Sequence, residues 1–171
     1  GLPVVPPTDA RIIRMLTGTA RKPDEIIGLV PPNLAPITVE KVAINAVMAG
    51  CLPFYMPVIL AAVRAMTRPV FNLAAIQATT HPVAPLVFVN GPIRRRIGIN
   101  CGANVLGQGF RANATIGRAV RLVLMNLGNF AETIGFTAGS LADTRAAQGW
   151  TSEAYVDGNA NGVFDPGVDD V

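Results

Sequence analysis

Apolar residues follow more than one rhythm along this chain, and each rhythm predicts a different element. Residues 39–49 read Val-Glu-Lys-Val-Ala-Ile-Asn-Ala-Val-Met-Ala. They are apolar nearly all round, which predicts a helix buried on several faces. Thr38 is placed to cap its first turn, and Gly50 is placed to end it. A second helix is predicted from Pro53 to Met66. Pro57 falls within its first turn or so, where a missing N–H costs little. Arg64 and Arg68 lie at its C-terminal end, where cations suit the helix dipole. The two segments together predict a buried helical hairpin.

Elsewhere the rhythm is shorter. Leu86-Val87-Phe88-Val89 is wholly apolar and is bounded by Pro85 and Asn90-Gly91-Pro92, which predicts a short buried strand. Ile26–Val30 reads as extended and is closed by Pro31-Pro32-Asn33. Three prolines hold Leu2–Thr8 extended, and Thr8 or Asp9 can cap a helix over Asp9–Leu16. Arg21–Glu25 predicts a turn and a further helix start, with Pro23 near its first position. Asn113 or Thr115 can cap a helix running to about Leu127. Beyond Phe130 the pattern weakens into Gly, Ser, Thr and Ala. The expected fold class is α/β or α+β: a buried helical hairpin packed with a sheet of short apolar strands, then an irregular acidic C-terminal tail. Residues 1–130 are expected to form one globular domain with a basic core, and residues 131–171 an acidic, Gly/Asn/Asp-rich tail or linker.

Charge changes this picture. From Lys41 to Ala131 there is no Asp or Glu, against nine basic residues: Lys41, Arg64, Arg68, Arg94, Arg95, Arg96, Arg111, Arg118 and Arg121. Residues 132–171 carry Arg145 against seven carboxylates. The net charge of +3 therefore hides a basic middle and an acidic end. The middle suits an anionic partner, or the acidic end of the same or a neighbouring copy. Half of the 171 residues are apolar and 15% are charged, against about 25% charged in an ordinary globular domain. Excess apolar surface of this kind calls for a large protein interface or a membrane. Residues 42–63 are uncharged and long enough to span a bilayer, but Asn45, Gly50, Pro53 and Pro57 interrupt them, so a buried core is expected instead. The start shows no basic segment followed by an apolar one, so no signal peptide is read there. The expected location is cytoplasmic.

Carboxylates being absent from the middle, chemistry there falls to thiols, imidazole, amides, guanidinium groups and backbone N–H groups. The densest polar cluster runs from Asn90 to Asn113 and includes Asn100, Cys101, Asn104, Arg111 and three glycines between Asn100 and Arg111. A glycine-bearing loop that leads into a helix start makes an anion cradle. Asn90, Asn100, Asn104, Arg111, Asn113 and Arg118 are its candidate substrate-binding residues, although no Walker loop or dinucleotide fingerprint is present. Cys51, between the two predicted helices, is placed at a helix N-terminus, where a thiol pKa is expected to fall. Its commoner reading is a small buried hydrophobe. Cys101 lies in the glycine loop. His81 is the only imidazole, and a candidate general base for either thiol. The equally weighted reading is a loop His bonded to a backbone carbonyl. Arg94-Arg95-Arg96 reads as a solvated face, and nucleic acid is not an expected partner because no recognition motif accompanies it.

Asp157-Gly158-Asn159-Ala160-Asn161-Gly162-Val163-Phe164-Asp165 follows the rhythm of a calcium loop, with Asp157, Asn159, Asn161 and Asp165 as candidate ligands. The twelfth position is Val168 rather than Glu, so a plain turn cluster stands beside Ca²⁺ binding. A calcium-binding tail would favour an extracytoplasmic setting.

Leu2–Thr8, Glu40–Cys51, Thr80-His81-Pro82, Val89–Pro92 and Arg111–Ala119 together form a signature. On these residues the chain resembles a bacterial family whose members open with a Gly-Leu-Pro-Val-Val-Pro-Pro-Thr segment. That family is associated with a (seleno)protein family named for its Sec/Cys-Gly-Ser-Cys motif. The resemblance covers about residues 1–128 and implies a soluble subunit that works with a redox-active partner; it supplies no reaction. The combined expectation is a subunit or domain of a thiol-dependent enzyme, of redox or lyase/hydrolase type. Cys51 or Cys101 would be its thiol, His81 would move protons, and Arg111 and Arg118 would hold a small anionic or polar substrate. The alternative is a non-catalytic structural protein that forms homo-oligomers through apolar surfaces and basic-core/acidic-tail contacts.

Overall fold

A computed structural model describes residues 3–31, 34–79 and 83–128. The chain divides into two compact units, one formed by Gly1–Leu73 with Leu86–Asn129, the other by Ala74–Pro85 with Phe130–Val171. Of the second unit, residues 74–79 and 83–85 are described, and they hold most of α4 (Leu73–Ala78). The candidate calcium ligands and His81 lie outside the described residues.

The first unit is mainly helical, with one small sheet. It begins with α1 (Asp9–Leu16), followed by β1 (Ile26–Val30) and β2 (Ala35–Thr38). These strands pair antiparallel, with Val30 opposite Ala35 and Ile26 opposite Thr38 and an irregularity between Ile26 and Gly28. Arg21–Glu25 is a turn rather than a helix start. The Glu25 and Pro23 carbonyls accept from Val39 and Glu40 N–H groups. They are thus committed to the first turn of the next helix. The Arg21–Glu25 ion pair closes the turn.

Helix α2 (Val39–Ala49) begins and ends as its sequence predicts. Thr38 Oγ1 accepts from the Lys41 N–H, and Gly50 takes the left-handed conformation at φ 85° that lets its N–H turn back onto the helix. A 3-10 turn at Pro53–Tyr55 leads into α3 (Met56–Met66). Val42, Ala43, Ala46, Ile59 and Val63 from this hairpin are fully buried. Val30 and Ile37 from the strands, and Ala119, Val120, Val123 and Leu124 from the last helix, close the core. Asn45 is the one buried polar residue among those described, at 3% exposure. Its amide donates to the Lys41 carbonyl and its oxygen accepts from Asn126, so the pair is satisfied within the core. Among the described residues no single helix is long and apolar enough to cross a membrane.

Two sequence expectations are corrected here. Leu86–Val89 forms no regular secondary structure and pairs with no strand, and it is only partly buried. Val87 and Val89 pack on the core, whereas Leu86 is 62% and Phe88 82% exposed. A run that is apolar on both faces has been given a neighbour on one face only. The loop before the last helix also contains a short helix, α5 (Pro92–Arg96), with Pro92 at its first position. The last helix, α6 (Arg111–Gly128), starts ahead of the predicted caps. Asn113 is committed to the loop instead of capping. Its side-chain oxygen accepts from Asn100 N–H, and its amide donates to the Asn100 and Val105 carbonyls.

Candidate functional site

Three of the signature segments converge where α2 ends. Val5 N–H donates to the Met48 carbonyl at 3.1 Å, laying the proline-rich N-terminal segment over the last turn of α2. Arg118, on α6, donates to the Pro3 carbonyl at 2.7 Å. Arg111, the first residue of α6, donates through Nε and Nη2 to the Gly50 carbonyl at 3.1 and 2.9 Å. Between them sits Cys51, 6% exposed, whose Sγ donates to the Thr115 carbonyl at 3.2 Å.

Of the two readings of Cys51, the fold agrees with the buried hydrophobe and not with the activated thiol. The dipole of a following helix was expected to lower its pKa. Burial instead pushes the thiol up to about 11, outweighing the Thr115 contact and the positive charge of Arg111. At neutral pH the group is a protonated, shielded thiol, which is a poor nucleophile. Tyr55 completes the cluster and was not anticipated from sequence. It is buried, its phenol is raised by burial with Arg111 pulling the other way, and its ring meets Phe54 edge-on at 4.8 Å. The only local signal for it was an aromatic pair directly after a helix-starting proline.

The glycine–asparagine loop is mostly engaged with itself. Asn100 donates to the Ala103 carbonyl and accepts from Gly102 N–H. Asn104 takes the left-handed conformation at φ 63° and donates to the Gln108 carbonyl at 2.6 Å. A Cβ on Gly107 would stand 1.8 Å from the Asn104 Oδ1, so a larger residue there would push this amide off its present bond. These amides therefore shape the loop and, through Asn113, fasten it to α6. Cys101 is exposed in this loop, with Arg94 Nη1 donating to its Sγ. Asn90 is exposed just before α5 and makes no hydrogen bond with the described residues.

The cationic side chains share a habit. Arg11, Lys41, Arg111 and Arg118 all donate to backbone carbonyls, those of Pro6, Pro36, Gly50 and Pro3. Among the described residues, the only ion pair is Arg21–Glu25. The structure thus gathers Cys51 with Arg111 and Arg118 on one side, and Cys101 with Arg94 on the other. The two thiols form no disulfide. No group of three or more His, Cys, Asp or Glu side chains suited to a metal occurs among the described residues. Compared with known proteins, the chain matches no family model, no curated protein and no solved structure.

Proposed function

We propose that this chain is a structural, self-associating subunit that meets a second copy of itself through the unpaired apolar segment 86–89. The observation that carries this reading is the state of that segment. Leu86 and Phe88 face solvent, and none of its backbone N–H or C=O groups is hydrogen-bonded within the described chain. An apolar segment whose backbone groups have no partner, once drawn out straight, is a template for strand pairing. Pairing antiparallel with its own copy gives a closed two-fold contact. Charge favours the same place. Between Arg68 and Arg94 no residue carries a formal charge at neutral pH, His81 apart, whereas the flanking sequence is uniformly basic. Two copies can approach there without bringing like charges together.

Light scattering coupled to gel filtration tests this. The parent chain is expected to run as a dimer or larger at micromolar concentration, and a Leu86→Asp/Phe88→Asp variant as a monomer of unchanged circular dichroism. Salt is expected to strengthen association by screening the basic surfaces. A parent that stays monomeric at every salt concentration overturns the proposal. Association that dissolves in salt points to basic-core/acidic-tail contacts instead.

A second reading has its own support. Cys101 is an accessible thiol with a guanidinium donating to its sulfur, an arrangement suited to redox exchange with a partner's thiol. It places thiol chemistry at Cys101 rather than Cys51. Iodoacetamide at pH 7 is expected to label Cys101 readily in the folded chain and Cys51 only after denaturation. Mass mapping of both peptides reads the outcome. Labelling of Cys51 first, with Cys101 spared, removes this reading.

A further inference from the structure

The first unit carries an open cleft of about 410 Å³ lined by Thr17, Gly18, Pro53, Phe54, Pro57, Ile93, Arg96 and Ile97. None of the candidate residues discussed above lines it. We infer that it is a binding site for a small carboxylate with an apolar body, such as an aryl- or alkyl-carboxylic acid, held by Arg96 at the charged end.

The division of labour within Arg94-Arg95-Arg96 is the first support. Side chains on a helix turn by about 100° per residue, so neighbours point apart while positions three and four apart share a face. Ile93, Arg96 and Ile97 accordingly fall on one face of α5, and all three line the cleft. Arg94 points elsewhere, to Cys101. Arg96 makes no hydrogen bond and no ion pair with the described chain. Its nearest sequence surroundings supply no acid, since 41–131 contain none. A guanidinium at the edge of an apolar cleft, with no partner of its own, offers a paired set of donors that match a carboxylate.

The walls are the second support. Pro53, Phe54, Pro57, Ile93 and Ile97 give an apolar floor that suits the body of such a ligand. Phe54 lines the cleft half-exposed and is held edge-on against Tyr55, which limits how far its ring must move on binding. The wall is also close-packed: a Cβ on Gly18 would stand 1.8 Å from the Pro53 carbonyl oxygen. A site built this way needs little rearrangement to accept a ligand. Its volume lies at the small end of the range for ligand pockets, roughly 300–1,000 Å³, which suits a single ring or short chain.

Titrating 3-phenylpropionate and hexanoate into the full-length ¹⁵N-labelled chain tests the inference, with 3-phenylpropionamide and acetate as the neutral and body-less controls. The expected result is a saturable shift of the Gly18, Ile93 and Ile97 amides with either acid. The amide should bind about ten-fold or more weakly, as loss of a charge-assisted hydrogen bond implies, and acetate should leave these signals unmoved. Arg96→Gln should weaken the acid to the level of the amide, while Phe54→Ala should weaken acid and amide alike. Equal binding of acid and amide, an unaltered affinity in Arg96→Gln, or no shift at the cleft at millimolar ligand each overturns the inference. The residues concerned are separate from Leu86 and Phe88, so its failure and that of the self-association proposal are distinguishable.

Discussion

Gly18→Ala is expected to lower the melting temperature by on the order of 10 °C, an overpacking cost of about 2–3 kcal/mol in a unit of this size. The added Cβ would lie 1.8 Å from the Pro53 carbonyl oxygen and 2.5 Å from its carbon. Both atoms belong to backbone at the start of the 3-10 turn before α3, so no side chain can swing aside. Relief requires α1 and the turn to separate, and that opens the core around buried Met15 and Tyr55. Gly117→Ala is the matched control. It sits inside α6 with open space where its Cβ would go, so it should hold or gain stability by up to about 1 kcal/mol. Thermal unfolding of the three proteins in one buffer decides the matter. A Gly18→Ala chain that melts with the parent refutes the close approach of the two backbones.

Raising the pH from 9 to 11 is expected to remove about 2 kcal/mol of stability through Cys51 alone. The folded thiol ionises near 11 against an ordinary value of 9.0. Below pH 9 both states keep the proton and the contribution is complete. Between 9 and 11 the unfolded chain releases its proton while the folded chain retains it, so each step upward favours unfolding. Tyr55, also raised by burial, acts in the same direction once the unfolded phenol begins to ionise. Urea titrations of the reduced protein at a series of pH values measure the slope. Cys51→Ala removes this titrating group, so its curve should be shallower than the parent's across that window. Parallel curves for parent and variant would show that the thiol is not held in its neutral form by the fold.

The sequence was most legible where local rules and burial agree. Helix α2 has an oxygen-bearing cap at Thr38, a left-handed stop at Gly50 and an apolar circumference between them, and it runs over the residues those signals mark. Helix α1 and, allowing for its opening 3-10 turn, α3 also run over their predicted residues, without a capping side-chain bond or a left-handed stop. Strand β2 was not foreseen, because four residues including Pro36 carry little periodicity of their own and depend on their partner β1. Leu86–Val89 misled for a different reason. Continuous apolarity says that both faces tolerate burial, but it cannot say whether a neighbour exists to bury them.

The site divides in the same way. Cys51, Arg111 and Arg118 were singled out from sequence, and the fold does bring them to one junction. Their bonding could not be read in advance, because it depends on which carbonyls a tertiary contact leaves at hand. Arg111 meets the end of α2 only because α6 packs across it. The direction of the Cys51 shift was hidden for the same reason: the fold buries the thiol against Thr115, and the cost of dehydrating its charged form is the largest effect on it. Asn104 and Asn113 were read as ligand-binding groups, yet a loop with many glycines needs side-chain amides to hold its shape.

The habit of pairing cations with peptide oxygens has one more consequence. Acid unfolds ordinary domains largely by protonating carboxylates that the native state had enlisted. The clamps from Arg11, Lys41, Arg111 and Arg118 have no such weak point, since neither a guanidinium, an ammonium nor a carbonyl changes its protonation between neutrality and pH 3. Among the described residues only the exposed Arg21–Glu25 contact would be forfeited on souring the medium, and such a pair contributes about 1 kcal/mol or less. The helical unit is therefore braced for acid tolerance, with its sensitivity to pH displaced to the alkaline side.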